Sequence, residues 1–140
     1  MKPLPIAILI AVAVALAATM DVPMIQPKDL AAQLTANGPK PLVIQVGPNV
    51  LFRSKHIAGA SFAGPGNRPD GLDLLKTAVA NVPKDREIVL YCGCCPWTNC
   101  PNINPAIALL KELGYTRVKA TYMKENFKTD WVDPGYPVEP

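Results

Sequence analysis

The chain predicts an α/β domain in three layers, a central parallel sheet of four or five strands flanked by helices. Three observations carry that prediction. Short apolar runs rich in β-branched residues alternate with segments whose apolar residues recur at helical spacing. Two of the runs, Pro41–Val46 and Glu87–Tyr91, are apolar almost throughout, the pattern of strands covered on both faces. Gly, Pro, Asn and Asp separate the segments, and no internal repeat interrupts the alternation.

The sequence has 140 residues. Lys2 precedes an uncharged apolar run, Ile6–Ala18, and Ala15-Leu16-Ala17 fits a small-x-small cleavage site, so residues 1–17 read as a signal peptide. The run is shorter than the roughly 20 apolar residues a membrane span requires. Membrane attachment is therefore expected only through an uncleaved N-terminal segment. Residues 18–24 read as a mature N-terminal extension and 25–140 as the folded domain. The expectation is an exported protein, periplasmic or secreted. Of 14 basic residues Lys2 is the one lost with the signal segment, which leaves 13 against 11 acidic ones. A net charge near +2 is too small for a nucleic-acid footprint.

Within the domain, Pro27 opens a helix with Leu30 and Leu34 on one face, and Asn37-Gly38 stops it. The strand 41–46 ends at Gly47-Pro48. Residues 63–71, rich in Gly, Pro, Asn and Asp, read as an irregular surface loop. Leu72–Asn81 returns to helical spacing through Leu72, Leu75 and Val79, and Pro83-Lys84-Asp85 turns into the strand 87–91. A helix follows over Pro105–Leu113, burying Ala106, Ile107 and Leu110 and ending at Gly114. Arg117–Tyr122 is a further strand, and Trp131 with Tyr136 closes the core.

All four cysteines fall in one stretch, Cys92-Gly93-Cys94-Cys95-Pro96-Trp97-Thr98-Asn99-Cys100, directly after the second buried strand. In parallel α/β sheets the working site lies at the carboxyl ends of the strands, and Cys92 stands there. A thiol in a loop leading to a helix N-terminus meets backbone N–H groups and the positive end of the helix dipole, which favour thiolate. Bridges within so short a stretch contribute little to stability through chain entropy, so stapling the fold is the weaker use of the cluster. Three sulfur chemistries remain open: group transfer, disulfide exchange and binding of a soft metal.

From here the chain resembles the rhodanese-like family of single-domain sulfurtransferases. The resemblance runs through residues 25–140: Leu42–Gly47 as the first long strand, His56-Ile57-Ala58-Gly59-Ala60 as the His-Ile-x-Gly-Ala signature, and Ile88–Cys92 as the strand ending in the catalytic cysteine. Leu110, Gly114-Tyr115, Trp131 and Gly135–Glu139 complete it. It implies that Cys92 attacks a sulfane-sulfur donor and carries the sulfur as a persulfide to an acceptor thiol. The loop of Gly93, Pro96, Trp97 and Thr98 would cradle it through its available backbone N–H groups, with no cofactor. The partners implied are a small sulfane-sulfur donor and a thiol acceptor, or a redox partner protein.

The chain departs from the family pattern where Asp-x-Arg would close the first strand, having Gln45 and Gly47, and where an arginine would stand in the active loop, having Trp97. The loop is longer than usual, and Glu125-Asn126 replaces a common Gly-Gly. Loss of the arginine disfavours thiosulfate as the donor; Arg53 and Arg68 are the candidates to replace it. Cys94, Cys95 and Cys100 become accessory or resolving thiols. The competing readings are a thiol–disulfide redox protein using Cys92, Cys94, Cys95 and Cys100, a soft-metal site on the same four, and a catalytically silent docking module. Against the metal stands the spacing, since structural zinc sites usually draw paired ligands from two segments. His56, the single histidine, is expected to tie loop backbone together, and Lys119, Lys124 and Lys128 to form a solvated face.

Overall fold

The computed structural model describes residues 22–140, so the expected signal peptide and most of the following extension lie outside the described residues. Strands β1 (Met24–Ile25), β2 (Leu42–Gln45), β4 (Ser61–Phe62), β5 (Ile88–Tyr91) and β6 (Val118–Thr121) form one sheet in the order β1-β6-β5-β2-β4, every pair parallel. β3 (His56–Ile57) and β7 (Val138–Glu139) make a separate antiparallel pair. The helices are α1 (Pro27–Thr35), α2 (Asn49–Ser54), α3 (Pro69–Val79) and α4 (Ile103–Glu112). The expected three-layer architecture with a five-stranded parallel sheet is what the chain adopts.

β5 lies at the centre, and all four of its residues are buried. Its side chains alternate between the two faces, as a pleated strand requires. Ile88 and Leu90 join Ile44, Leu75, Ile107 and Leu110 in the core under α3 and α4. Val89 and Tyr91 join Val43, Leu30, Ile57 and Trp131 in the core on the opposite face. A strand clad on both sides has no solvent face to mark with polar residues, which is why it reads as a continuous apolar run.

Several boundaries differ from expectation for local reasons. α4 begins at Ile103, two residues ahead of Pro105, because a proline in the first turn gives up an N–H that has no partner within the helix. α3 begins at Pro69, so part of the expected surface loop is helical, and Ala63, Gly64 and Gly66 are buried. Helix α2 and strands β3, β4 and β7 are too short to show a period in sequence. Trp131 is fully buried, with its indole N–H donating to Pro137 O, while Tyr136 is half-buried against its ring. Among the described residues no helix is long and apolar enough to cross a membrane.

Candidate functional site

Cys92 follows β5 at the carboxyl end of the sheet and is 4% exposed. The end of β2 lies against it: Val46 N–H donates to Tyr91 O, and the chain then passes Cys92 at Gly47. A β-carbon on Gly47 would sit 2.3 Å from the Cys92 carbonyl oxygen and 3.1 Å from its sulfur. Only glycine fits, so the position where the family pattern places an arginine is closed to any side chain with this backbone. Gly93, at φ +79°, then turns the chain through a left-handed conformation that glycine adopts without strain.

Beyond that turn the loop doubles back. Trp97–Asn99 forms one 3-10 turn, and Cys100 returns toward Cys92. The loop is tied to its surroundings by Trp97 N–H on Met123 O, Phe127 N–H on Gly93 O, and the Trp97 ring against Tyr122. The four sulfurs come together: all lie within 4.8 Å of one another. Cys94 Sγ is 3.0 Å from both Cys92 Sγ and Cys95 Sγ, and all four thiols are unbonded. Cys92 is buried, Cys94 exposed, and Cys95 and Cys100 half-buried. The spacing argument against a site built from one loop does not hold, because the Gly93 turn and the 3-10 turn fold that loop around a common centre.

The thiols differ in how firmly they keep their protons. Desolvation pushes Cys94 up to about 11, with the hydrogen bond to Cys92 pulling against it. Cys100 is raised further, first by its hydrogen bond to the Cys92 sulfur and then by burial; the backbone N–H groups of Asn102 and Ile103 oppose the rise. These two N–H groups thus act on the Cys100 thiol, whereas the sequence led us to expect the start of the helix to act on Cys92.

A residue that sequence reasoning passed over donates a hydrogen bond to the Cys92 sulfur. Asn102, 3% exposed, donates its side-chain N–H to Cys92 Sγ at 3.2 Å. Its amide oxygen accepts from Asn67 N–H at 3.1 Å, which fixes the direction of the amide. An asparagine just ahead of a helix reads as an N-cap, but here the side chain makes no capping bond. Gln45, also buried, donates to Cys92 O at 3.3 Å and leaves its own Oε1 without a partner. Thr121 Oγ1 is likewise unpartnered. Thr121 lines a cavity of about 10 Å³ together with Cys92, Cys95, Cys100, Ile103 and Met123. Outside it, Val22, Met24, Trp97, Thr98, Cys100 and Asn104 border an open groove of about 410 Å³.

Of the residues nominated to cradle a persulfide, Gly93 is buried beside Cys92, whereas Pro96 is exposed and carries no N–H. The Trp97 N–H is directed to Met123, and Thr98 is exposed on the groove. His56 ties backbone together: Nδ1 donates to Phe52 O at 2.8 Å, and Nε2 lies 3.2 Å from Glu139 Oε1. Arg68 is exposed and paired with Asp70, Arg53 is exposed at the end of α2, and neither lines the cavity beside Cys92. Lys119 and Lys128 pair with Glu87 and Asp133, and Lys124 is exposed. At Glu125-Asn126 both N–H groups donate to the Asp130 carboxylate, which holds that turn without glycines.

No protein-family model and no curated protein matches the chain. Solved structures do. A crystal structure of the Alr3790 protein from Anabaena sp. superposes with a TM-score of 0.63 at 21% identity, covering 82% of this chain and 90% of that one. A solution structure of the rhodanese-like domain of the same protein gives 0.61 at 23% identity, covering 84% and 78%. The BH2092 protein from Bacillus halodurans gives 0.65 at 21% identity, covering 84% and 77%. Identities this low speak to architecture, and with the cysteine at the end of the central strand they establish that this chain has the rhodanese-like fold.

Proposed function

We propose that the protein is an exported sulfurtransferase or persulfide carrier that holds sulfane sulfur on Cys92. The observation that carries this reading is the Cys92 sulfur itself: buried at the carboxyl end of β5 and receiving the Asn102 amide N–H at 3.2 Å. A hydrogen bond to a charged acceptor is worth about 1.5–3 kcal/mol, so a donor fixed at this sulfur can stabilise the charge of a persulfide carried there.

The step is a displacement at sulfur. The Cys92 thiolate attacks the outer sulfur of a donor R–S–S⁻, a new S–S bond forms, the old one breaks, and R–S⁻ leaves with its electron pair. An acceptor thiolate then takes the terminal sulfur and Cys92 leaves as thiolate. With Trp97 at the place of the loop arginine, the site offers no guanidinium to a sulfonate. Small organic persulfides are therefore the expected donors ahead of thiosulfate.

The 3.0 Å contact between Cys92 and Cys94 favours a second reading, disulfide exchange. Attack of the Cys94 thiolate on the inner sulfur of a Cys92 persulfide would give a Cys92–Cys94 disulfide and release hydrosulfide, the sulfane sulfur being reduced and the two thiols oxidised.

Reduced, metal-stripped protein incubated with glutathione persulfide or thiosulfate and weighed intact tests both readings. Gain of one sulfur atom in wild type and none in Cys92→Ser is the expected result. Loss of two hydrogens with sulfide release would assign the second reading. No Cys92-dependent adduct from either donor sinks the first.

A further inference from the structure

We propose that Cys92, Cys94, Cys95 and Cys100 together bind a single thiophilic metal ion, Zn²⁺ in the tetrahedral form, with Cu⁺ as the competing occupant. The site stands on geometry and does not depend on sulfur transfer.

Four thiolates around Zn²⁺ at about 2.3 Å place their sulfurs about 3.8 Å apart along the edges of a tetrahedron. Here all four sulfurs already lie within 4.8 Å of one another. Two contacts, Cys92–Cys94 and Cys94–Cys95, are shorter than a tetrahedral edge at 3.0 Å, and they share Cys94. Cys94 is also the exposed member of the cluster. Rotation of that one surface side chain would lengthen both contacts.

The surroundings fit a metal thiolate. Cys92, Cys95 and Cys100 line the small cavity of about 10 Å³, room for one ion or one water and nothing larger. Thr121 Oγ1, 1% exposed and without a partner, lines the same cavity. Asn102 donates its amide N–H to Cys92 Sγ. Donors of this kind orient metal-bound thiolates from outside the coordination sphere. Among the described residues no carboxylate or imidazole belongs to the cluster, so the donor set is soft and selects Zn²⁺ or Cu⁺ over Mg²⁺ and Ca²⁺. Binding displaces the thiol protons to solvent, and no redox step is involved. Because the ion would occupy Cys92 Sγ, metal and persulfide are alternative states of one sulfur.

The test is titration of reduced, metal-stripped protein, free of sulfur donors, with Co²⁺ and then Zn²⁺ against a chelating indicator. Cu⁺ is titrated in parallel against a Cu⁺-specific chelator. The expected result is one ion per chain, with Co²⁺ giving tetrahedral ligand-field bands and sulfur-to-cobalt charge transfer that Zn²⁺ abolishes. Cys100→Ser and Cys94→Ser should each reduce the charge-transfer intensity, and Asn102→Ala should weaken affinity about tenfold. A Cu⁺ complex that Zn²⁺ cannot displace keeps the site and assigns copper as its occupant. The proposal is overturned if wild type holds no stoichiometric ion against the chelators, or if both cysteine variants, shown folded by circular dichroism, bind as wild type does. The readout involves no sulfur loading, so this result and the failure of sulfur transfer are separable.

Discussion

His56 opens β3 and Cys92 follows β5, and the protein surrounds the two differently. Around His56 the polar groups are matched. Nδ1 donates to Phe52 O, Nε2 meets Glu139, the same carboxylate oxygen accepts Gly59 N–H, and the imidazole stacks on Phe52 with centroids 3.8 Å apart. Nearby, Ile57 N–H donates to the Tyr91 hydroxyl, whose ionisation burial suppresses. Around Cys92 the matching stops. Four thiols crowd one another, and the buried Gln45 Oε1 and Thr121 Oγ1 have no partner. Buried polar groups without partners cost stability, so a fold retains them where something besides folding uses them. The contrast separates a polar cluster whose groups satisfy one another from one in which two buried groups are left unpaired.

Breaking either side should give opposite signatures. The largest effect expected is from Cys92→Ser, which removes sulfur loading altogether while the isosteric hydroxyl keeps the fold; intact mass after donor treatment reads the first and a denaturant curve the second. His56→Ala should do the reverse. It deletes the link between Phe52 and Glu139 and the stacked ring, and should lower stability by about 3 kcal/mol. Sulfur loading per folded molecule should stay at the wild-type level. If folded His56→Ala protein loads sulfur poorly, the corner is part of the chemistry and the contrast fails.

The same contrast explains how much could be read from the residues alone. β2 and β5 are legible because strands buried on both faces are apolar runs, and a cysteine at the end of such a run in a parallel sheet points to its own role. His56 is legible as structural because a lone imidazole beside a turn usually ties backbone. Asn102 is hidden because it lies outside the helix expected over Pro105–Leu113, and only the fold reveals that its amide, held by Asn67 N–H, is directed at Cys92. Gly47 reads as a missing arginine, yet the cause is the 2.3 Å approach of the Cys92 carbonyl to where a side chain would start. The convergence of the four sulfurs is hidden as well, because it depends on a left-handed turn at Gly93 and a 3-10 turn that spacing does not specify.

Asn102 gives the next effect in size. Asn102→Ala removes the donor to Cys92 Sγ and leaves Asn67 N–H without its acceptor, and loss of about 1.5 kcal/mol at the sulfur corresponds to a roughly tenfold slower loading rate. Asn102→Asp separates charge from shape, since it keeps the acceptor for Asn67 but presents a carboxylate to the sulfur. Loading should fall further in this variant than in Asn102→Ala. Equal rates in all three proteins, measured by quenched-flow mass spectrometry, would reduce Asn102 to a packing residue.

The smallest effect is also the most discriminating. Thr121 is 1% exposed, its hydroxyl has no partner, and it lies in β6 where a β-branched side chain suits the strand. Thr121→Val exchanges the hydroxyl for a methyl group of nearly the same shape, so in the reduced, metal-free protein it should be neutral or stabilising by up to about 1 kcal/mol. Were the hydroxyl satisfied there, the same exchange would destabilise, as it does where a hydrogen bond is broken. Denaturant midpoints of wild type and Thr121→Val, each with and without Zn²⁺, make the comparison. A variant that gains stability without the ion and gains less from Zn²⁺ than wild type does would show that the unpaired hydroxyl is there to support the cluster in its loaded state. A variant less stable than wild type even when metal-free would place Thr121 with the matched groups around His56, and the line between the two regions would have to be redrawn at the sulfurs alone.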